Sequence, residues 1–112
     1  MNHIFYIMAK YNVPVKVKKR LETLGKLISA ARRVRGFTQA QLAERAGTSR
    51  PTINHLESGK PNVIWSTVMT VCWLLDLPTD PDLMDPIRRA ELLAEAGDIE
   101  RARGLKELDD DF

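Results

Sequence analysis

The chain has 112 residues, of which 44% are hydrophobic, and a single cysteine. That suits one small domain with extensions, excludes an internal disulfide, and leaves no apolar run long enough to span a bilayer. The net charge of +2 hides an asymmetry: residues 1–60 carry 12 Lys and Arg against 3 Asp and Glu (+9), and residues 61–112 carry 5 against 12 (−7).

A basic half fits a polyanion, because neutralised phosphates release their counterions. The acidic half would repel such a partner and is expected to face elsewhere. Two solvated faces of opposite sign give the same numbers without any partner. Catalysis is not expected. His3 and His55 lie in very different segments, the lone Cys72 allows no zinc quartet, and the six glycines are dispersed rather than gathered in a phosphate loop. No cofactor and no metal are expected. Cys72 sits in an apolar stretch and reads as a small buried hydrophobe, consistent with a reducing compartment.

Residues 1–16 form an N-terminal extension. Ile4, Phe5, Tyr6 and Ile7 have the composition of a short strand, and Val13-Pro14-Val15 reads as extended. Met8, followed by AKYNV, makes an alternative natural start; a strand that pairs with a second copy is the functional alternative. The opening MNHIFYIMAKY lacks a basic leader and a small-residue cleavage site, so a secretory signal is not expected and the protein is placed in the cytoplasm.

Residues 17–35 predict a first helix, with Leu24, Leu27, Ile28, Ala31 and Val34 on its inner face. The stretch 38–59, TQAQLAERAGTSRPTINHLESG, then predicts two short helices joined by a tight turn. Thr38 and Gln41 have the spacing of a capping box. Leu42 and Ala46 repeat at helical spacing, and Gly47 ends the first helix where a left-handed residue is cheapest for glycine. Ser49 caps the second helix and Pro51 falls within its first turn. Ile53 and Leu56 turn inward, Ser58-Gly59 stops the helix, and Pro61 prevents its resumption. Ala43 is the small residue that lets two steeply crossed helices approach. Together these features predict a helix-turn-helix; an ordinary helical hairpin inside a bundle is the bland alternative.

The segment from Leu24 to Leu77 resembles the lambda-repressor/Cro-like (XRE-type) helix-turn-helix domain. The carrying residues are Arg32-Arg33, Gly36-Phe37-Thr38-Gln39, Leu42-Ala43, Ser49, Thr52-Ile53, Leu56-Glu57, Gly59 and Pro61. The resemblance implies an all-α fold: a compact lambda-repressor-like bundle of about five helices. The whole chain then divides into a short extended N-terminal segment (1–16), the helix-turn-helix domain (17–77), a linker with a C-terminal helix (78–97) and a flexible acidic tail (98–112).

The helix from Ser49 is then the recognition helix, with its N-terminal residues nearest the bases of double-stranded DNA. Arg50 is the candidate for guanine, since its fork matches the O6/N7 acceptor pair. Pro51, Thr52, Asn54 and His55 complete the base-edge candidates. Arg32, Arg33, Gln39, Ser49 and Lys60 are the phosphate candidates, which position the domain rather than specify the site. Gln39 resembles the family glutamine that binds phosphate and braces the recognition helix. Glu57 matches a structural family position and is not assigned to DNA.

Residues 62–77 predict the next helix. It is apolar nearly all round: Val68, Val71, Cys72 and Leu75 suit the core, leaving Trp65, Met69, Trp73 and Leu74 for another face. A two-fold homodimer through those four residues is expected; the alternative is a C-terminal tail folded back over them.

LPTDPDLMDP, with three prolines, reads as a rigid linker. Asp85-Pro86 then starts a helix with Ile87, Ala90, Leu93 and Ala94 as its apolar stripe and Gly97 as its stop. The remainder is polar and expected to be disordered, with Leu108 and Phe112 as anchors for a partner protein. GKPNVIWSTVMTVCWLLDL is similar to HipB-like antitoxins, which implies a HipA-like kinase toxin as partner and autoregulation of the shared operon through a palindromic operator. A stand-alone or phage-type repressor, and a protein-interaction adaptor that keeps the motif only as a scaffold, are the alternatives.

Overall fold

The computed structural model describes residues 13–110, with side chains through residue 108. The expected strand at residues 4–7, the alternative start at Met8 and the Phe112 anchor lie outside the described residues. Among these residues there are helices and no strand: α1 (Val15–Val34), α2 (Gln39–Ala46), α3 (Arg50–Glu57), α4 (Trp65–Leu74), a short 3-10 turn (Pro81–Leu83) and α5 (Pro86–Asp110). Among the described residues the fold is all-α with five α-helices, as expected. None of these helices is long and apolar enough to cross a membrane.

Local chemistry sets the boundaries. The Thr38 hydroxyl accepts from the Gln41 N–H at 3.1 Å while the Gln41 side chain accepts from the Thr38 N–H at 2.9 Å, so the capping box forms in full. Gly47 closes α2 at φ 68°, and the Thr48 N–H reaches back to the Ala43 carbonyl at 2.9 Å. Ser49 then caps α3, accepting from the Thr52 N–H at 3.3 Å. α4 begins only at Trp65, three residues later than the predicted start, with Ile64 extended at its N-cap. The acidic Asp85 carboxylate accepts from the Ile87 N–H at 2.9 Å and so starts α5.

One core cluster joins four helices. Leu24, Ile28 and Ala31 of α1 meet Leu42 and Ala43 of α2, Ile53 and Leu56 of α3, and Val68, Val71 and Cys72 of α4, closed by Leu75. Burial pushes the Cys72 thiol up to about 11, so it stays protonated at neutral pH. α1 makes its most extensive contact with α5 rather than with the helix-turn-helix. Leu27 and Ala30 of α1 and Ala96 of α5 are buried outside the shared cluster.

Two expectations for the C-terminal part are corrected. α5 does not stop at Gly97 but runs through it to Asp110, so residues 98–110 are helical. No proline follows Gly97, and a glycine inside a helix costs only about 0.5–1 kcal/mol against alanine, too little to end it by itself. The buried stripe is also different. Ile87, Ala90, Leu93 and Ala94 are exposed, whereas Leu92, Ala96 and Ile99 turn inward behind Met84. Both stripes have helical spacing. Only the stripe that includes Ile99, beyond Gly97, continues along the face that packs on α1. The proline-rich linker before α5 is anchored on the bundle, with Pro81 and Met84 buried.

Glycines report the tightest packing. A Cβ on Gly25 would lie 2.5 Å from the Glu57 carbonyl oxygen and 2.7 Å from that of Leu56, so α1 crosses the end of α3 in backbone contact. Gly25→Ala is expected to destabilise the fold by about 1–3 kcal/mol, the range of core overpacking, read from urea denaturation. A Cβ on Gly97 would meet only the Arg101 guanidinium, at 3.8 Å. Gly97→Ala is therefore expected to stabilise by roughly 0.5–1 kcal/mol in the same assay.

Candidate nucleic-acid interface

The start of α3 protrudes from the bundle. Ile53 and Leu56 point into the core, which forces the residues between and before them outward. Ser49, Arg50, Pro51 and Asn54 are exposed, and Thr52 and His55 are half-buried. Gln39, Arg50, Pro51, Asn54 and His55 line one shallow depression. Five residues singled out from sequence, four for base edges and Gln39 for phosphate, are thus brought to one surface. Thr52 sits beside them with its hydroxyl 2.8 Å from that of Ser49, so both hydroxyls are engaged in the cap. Lys60 is exposed just past the C-terminus of α3.

Behind this surface lies a buried polar cluster. Arg32 donates from Nε to Glu57 Oε2 at 2.7 Å and from Nη2 to Oε1 at 3.0 Å. Its Nη1 donates to the Phe37 carbonyl at 2.7 Å. The Gln39 amide adds a third donor to Glu57, at 3.2 Å. The side chains of the ion pair are only 10% and 7% exposed. This corrects the assignment of Arg32 to phosphate: all three of its guanidinium nitrogens donate inside the protein and its side chain is buried. The same network gives Gln39 the bracing role implied by the family resemblance and Glu57 a structural one.

Arg33 is also partly committed. It pairs with Glu100 of α5 at 3.0 Å, with side chains 37% and 66% exposed. Such a pair contributes little, on the order of 0–1 kcal/mol, but it turns the charge toward α5. Arg35, which sequence reasoning did not single out, donates to the Leu74 and Leu75 carbonyls at 3.3 Å and so closes the C-terminus of α4. Nothing in its spacing distinguished it from its basic neighbours. Arg45 lies over the Phe37 ring at 4.3 Å. Arg50 and Lys60, at the two ends of α3, form no ion pair among the described residues.

α4 carries an apolar surface of its own. Trp65, Met69 and Trp73 are 59%, 51% and 78% exposed and follow one another at intervals of four, a single stripe on α4. Leu74 does not belong to that stripe: it is half-buried against the core, one residue round the helix from Trp73. Leu108 is exposed on α5. Among the described residues no group of three His, Cys, Asp or Glu is placed to hold a metal ion.

Removing one half of the buried pair tests its role. Arg32→Ala leaves the Glu57 carboxylate buried without its counter-charge, and a loss of about 3–5 kcal/mol is expected in chemical denaturation. Arg33→Ala, at the exposed pair, is expected to change stability by less than about 1 kcal/mol.

A family model described as a helix-turn-helix domain matches residues 23–86, more than half of the chain. No curated protein matches it. Among solved structures, the clp gene regulator ClgR from Corynebacterium glutamicum is similar at 25% identity, over 85% of this chain and 87% of that one, with a TM-score of 0.48. The chain belongs to the helix-turn-helix domain family.

Proposed function

We propose that this protein is a sequence-specific DNA-binding transcription regulator, a repressor that works in the cytoplasm as a two-fold dimer on a palindromic operator. The observation that carries this reading is the depression at the start of α3, where Arg50, Pro51, Asn54, His55 and Gln39 converge on the basic half of the chain. A helix presented by its N-terminal residues fits the major groove. There Arg50 reads a guanine through its two-pronged fork, and Asn54 and His55 reach neighbouring base edges. Ser49, Gln39 and Lys60 flank them as phosphate contacts.

The α4 stripe supports the dimer. Trp65, Met69 and Trp73 leave an apolar face uncovered on a domain this small, and a second copy covers it by a self-complementary contact. Paired heads about one helical turn apart then match a palindrome.

The likeness of residues 59–77 to HipB-like antitoxins supports a finer role within this class. The regulator is then the antitoxin that represses its own operon and holds a HipA-like kinase toxin inactive through its acidic C-terminal half. Co-purification of a kinase with the full chain is the expected outcome; a chain that represses without one is a stand-alone regulator.

DNA binding over a salt series tests the main reading. Arg50→Ala is expected to weaken operator binding by about 1–3 kcal/mol and to relax base preference at one position. Lys60→Ala is expected to weaken all sequences alike and to lower the salt slope by about one. No measurable binding to any operator from its own locus would leave an adaptor that uses the motif as scaffold. Trp73→Glu changes only an exposed side chain, so the protomer stays folded; it is expected to shift the dimer to monomer in sedimentation and to weaken operator binding with it.

A further inference from the structure

The basic residues of α1 are not equally engaged. Arg32 is internal, Arg20 and Arg33 pair with Asp82 and Glu100, and Arg35 donates to the end of α4. Lys16, Lys18 and Lys19 are exposed and form no ion pair among the described residues. They are three of the first five residues of α1, which has no acid in its first turn and no side-chain cap. Cations at that end of a helix oppose its dipole, so local stability does not account for them. The residues before the helix, 1–12, contain no Asp or Glu.

The start of α1 lies beside the end of α3. A Cβ on Gly59 would stand 2.9 Å from the Glu22 Cα, and one on Gly25 would stand 2.5 Å from the Glu57 carbonyl oxygen. Lys18 precedes Glu22 by four residues and Gly25 by seven, so it extends that contact row by one turn toward the N-terminus. Val17, Arg20 and Leu21 line one groove together with Gly59 and Lys60. The charge here stays positive. Lys16, Lys18, Lys19 and Lys60 are four cations against the carboxylates of Glu22 and Asp80, and the Arg20–Asp82 pair cancels. The acidic end of α5 lies elsewhere: Asp82 meets Arg20 and Glu100 meets Arg33, so α5 runs along α1 toward its C-terminus, away from these lysines.

α3 is about 12 Å long, and the major groove is about 12 Å wide. With the start of α3 at the base edges, its far end reaches the rim, where a phosphate backbone runs. What packs against that end stands over the backbone. We infer that the first turns of α1 form a second phosphate-contact surface, in which Lys16, Lys18 and Lys19 continue along the strand the contact begun by Lys60. This rests on the reading that α3 enters DNA. Such contacts hold the domain in place and carry no sequence information, so they strengthen binding to every duplex alike.

The test measures fluorescence anisotropy of the full chain over a salt series, on a duplex from upstream of its own gene and on an unrelated duplex. Each phosphate contact contributes about 0.9 to the slope of log affinity against log salt. Lys16→Gln, Lys18→Gln and Lys19→Gln together change exposed side chains only, so circular dichroism stays that of the wild type. This triple variant is expected to lower the slope by about 2–3 on both duplexes, with the ratio of the two affinities unchanged. Arginine at the same three positions is expected to retain the slope. Arg101→Gln, Arg103→Gln and Lys106→Gln remove the same net charge from the far end of α5 and are expected to leave the slope near that of the wild type. A wild-type slope in the lysine triple variant overturns the inference while the α3 contact stands. Equal loss of slope in both triple variants overturns it in favour of net charge alone. Binding to phosphatidylserine vesicles that is lost in a lysine triple variant of unchanged duplex slope overturns it in favour of a lipid surface. A wild-type chain without salt-dependent binding to either duplex overturns the reading of DNA binding itself.

Discussion

Glu57 is the point at which three helices are tied. It ends α3, its carboxylate holds Arg32 from α1 and Gln39 from α2, and its own carbonyl touches the backbone of α1 at Gly25. Taking two charges out of water is costly, and attraction offsets that cost only when the geometry is good and the remaining donors are satisfied. Here the contact has two prongs and the third guanidinium nitrogen has the Phe37 carbonyl. The value of the cluster lies less in net stability than in orientation. It fixes the C-terminal end of α3, while Ser49 and Gly47 fix the other end about 12 Å away. With both ends held, the exposed residues at the start of α3 have one direction in which to point.

The acidic half of the chain is folded onto the basic half rather than kept apart from it. Glu100 reaches Arg33 and Asp82 reaches Arg20, both at the surface. These pairs add little energy, but they decide where positive charge remains. Arg32 is internal, Arg33 and Arg20 are engaged, and Arg35 caps α4. Arg50 and Lys60, at the two ends of α3, form no ion pair among the described residues, so both are left for the proposed contact with a polyanion. α4 divides its surface in the same manner. Val68, Val71 and Cys72 supply the core, and Trp65, Met69 and Trp73 remain for a partner.

Much of the central motif was legible in the residues themselves, because its signals are local. A capping box, a left-handed glycine, a serine cap followed by proline and a small residue at the crossing each act within a few positions, so spacing alone carries them. The depression formed by Arg50, Asn54 and His55 follows from the same short-range logic, since inward Ile53 and Leu56 leave their neighbours no other side. The C-terminal helix was read less well. Two stripes of equal spacing compete there, and a glycine without a following proline is a weak terminator. The helix continues because its inner face packs on α1, a contact that no local window contains.

The sequence by itself determined the two helices of the motif with their caps, the charge division between halves, and which face of α3 is free. These depend on periodicity, capping and conformational preference over a turn or two. Tertiary structure alone decided that Arg32 turns inward to Glu57 twenty-five residues later, that Arg35 caps α4, that Leu74 joins the core, and that α5 lies across α1 on Leu92, Ala96 and Ile99. Each of those outcomes is a choice between partners distant along the chain. A guanidinium can face water, a phosphate or a carboxylate with similar local ease, and only the packed helices show which one is within reach.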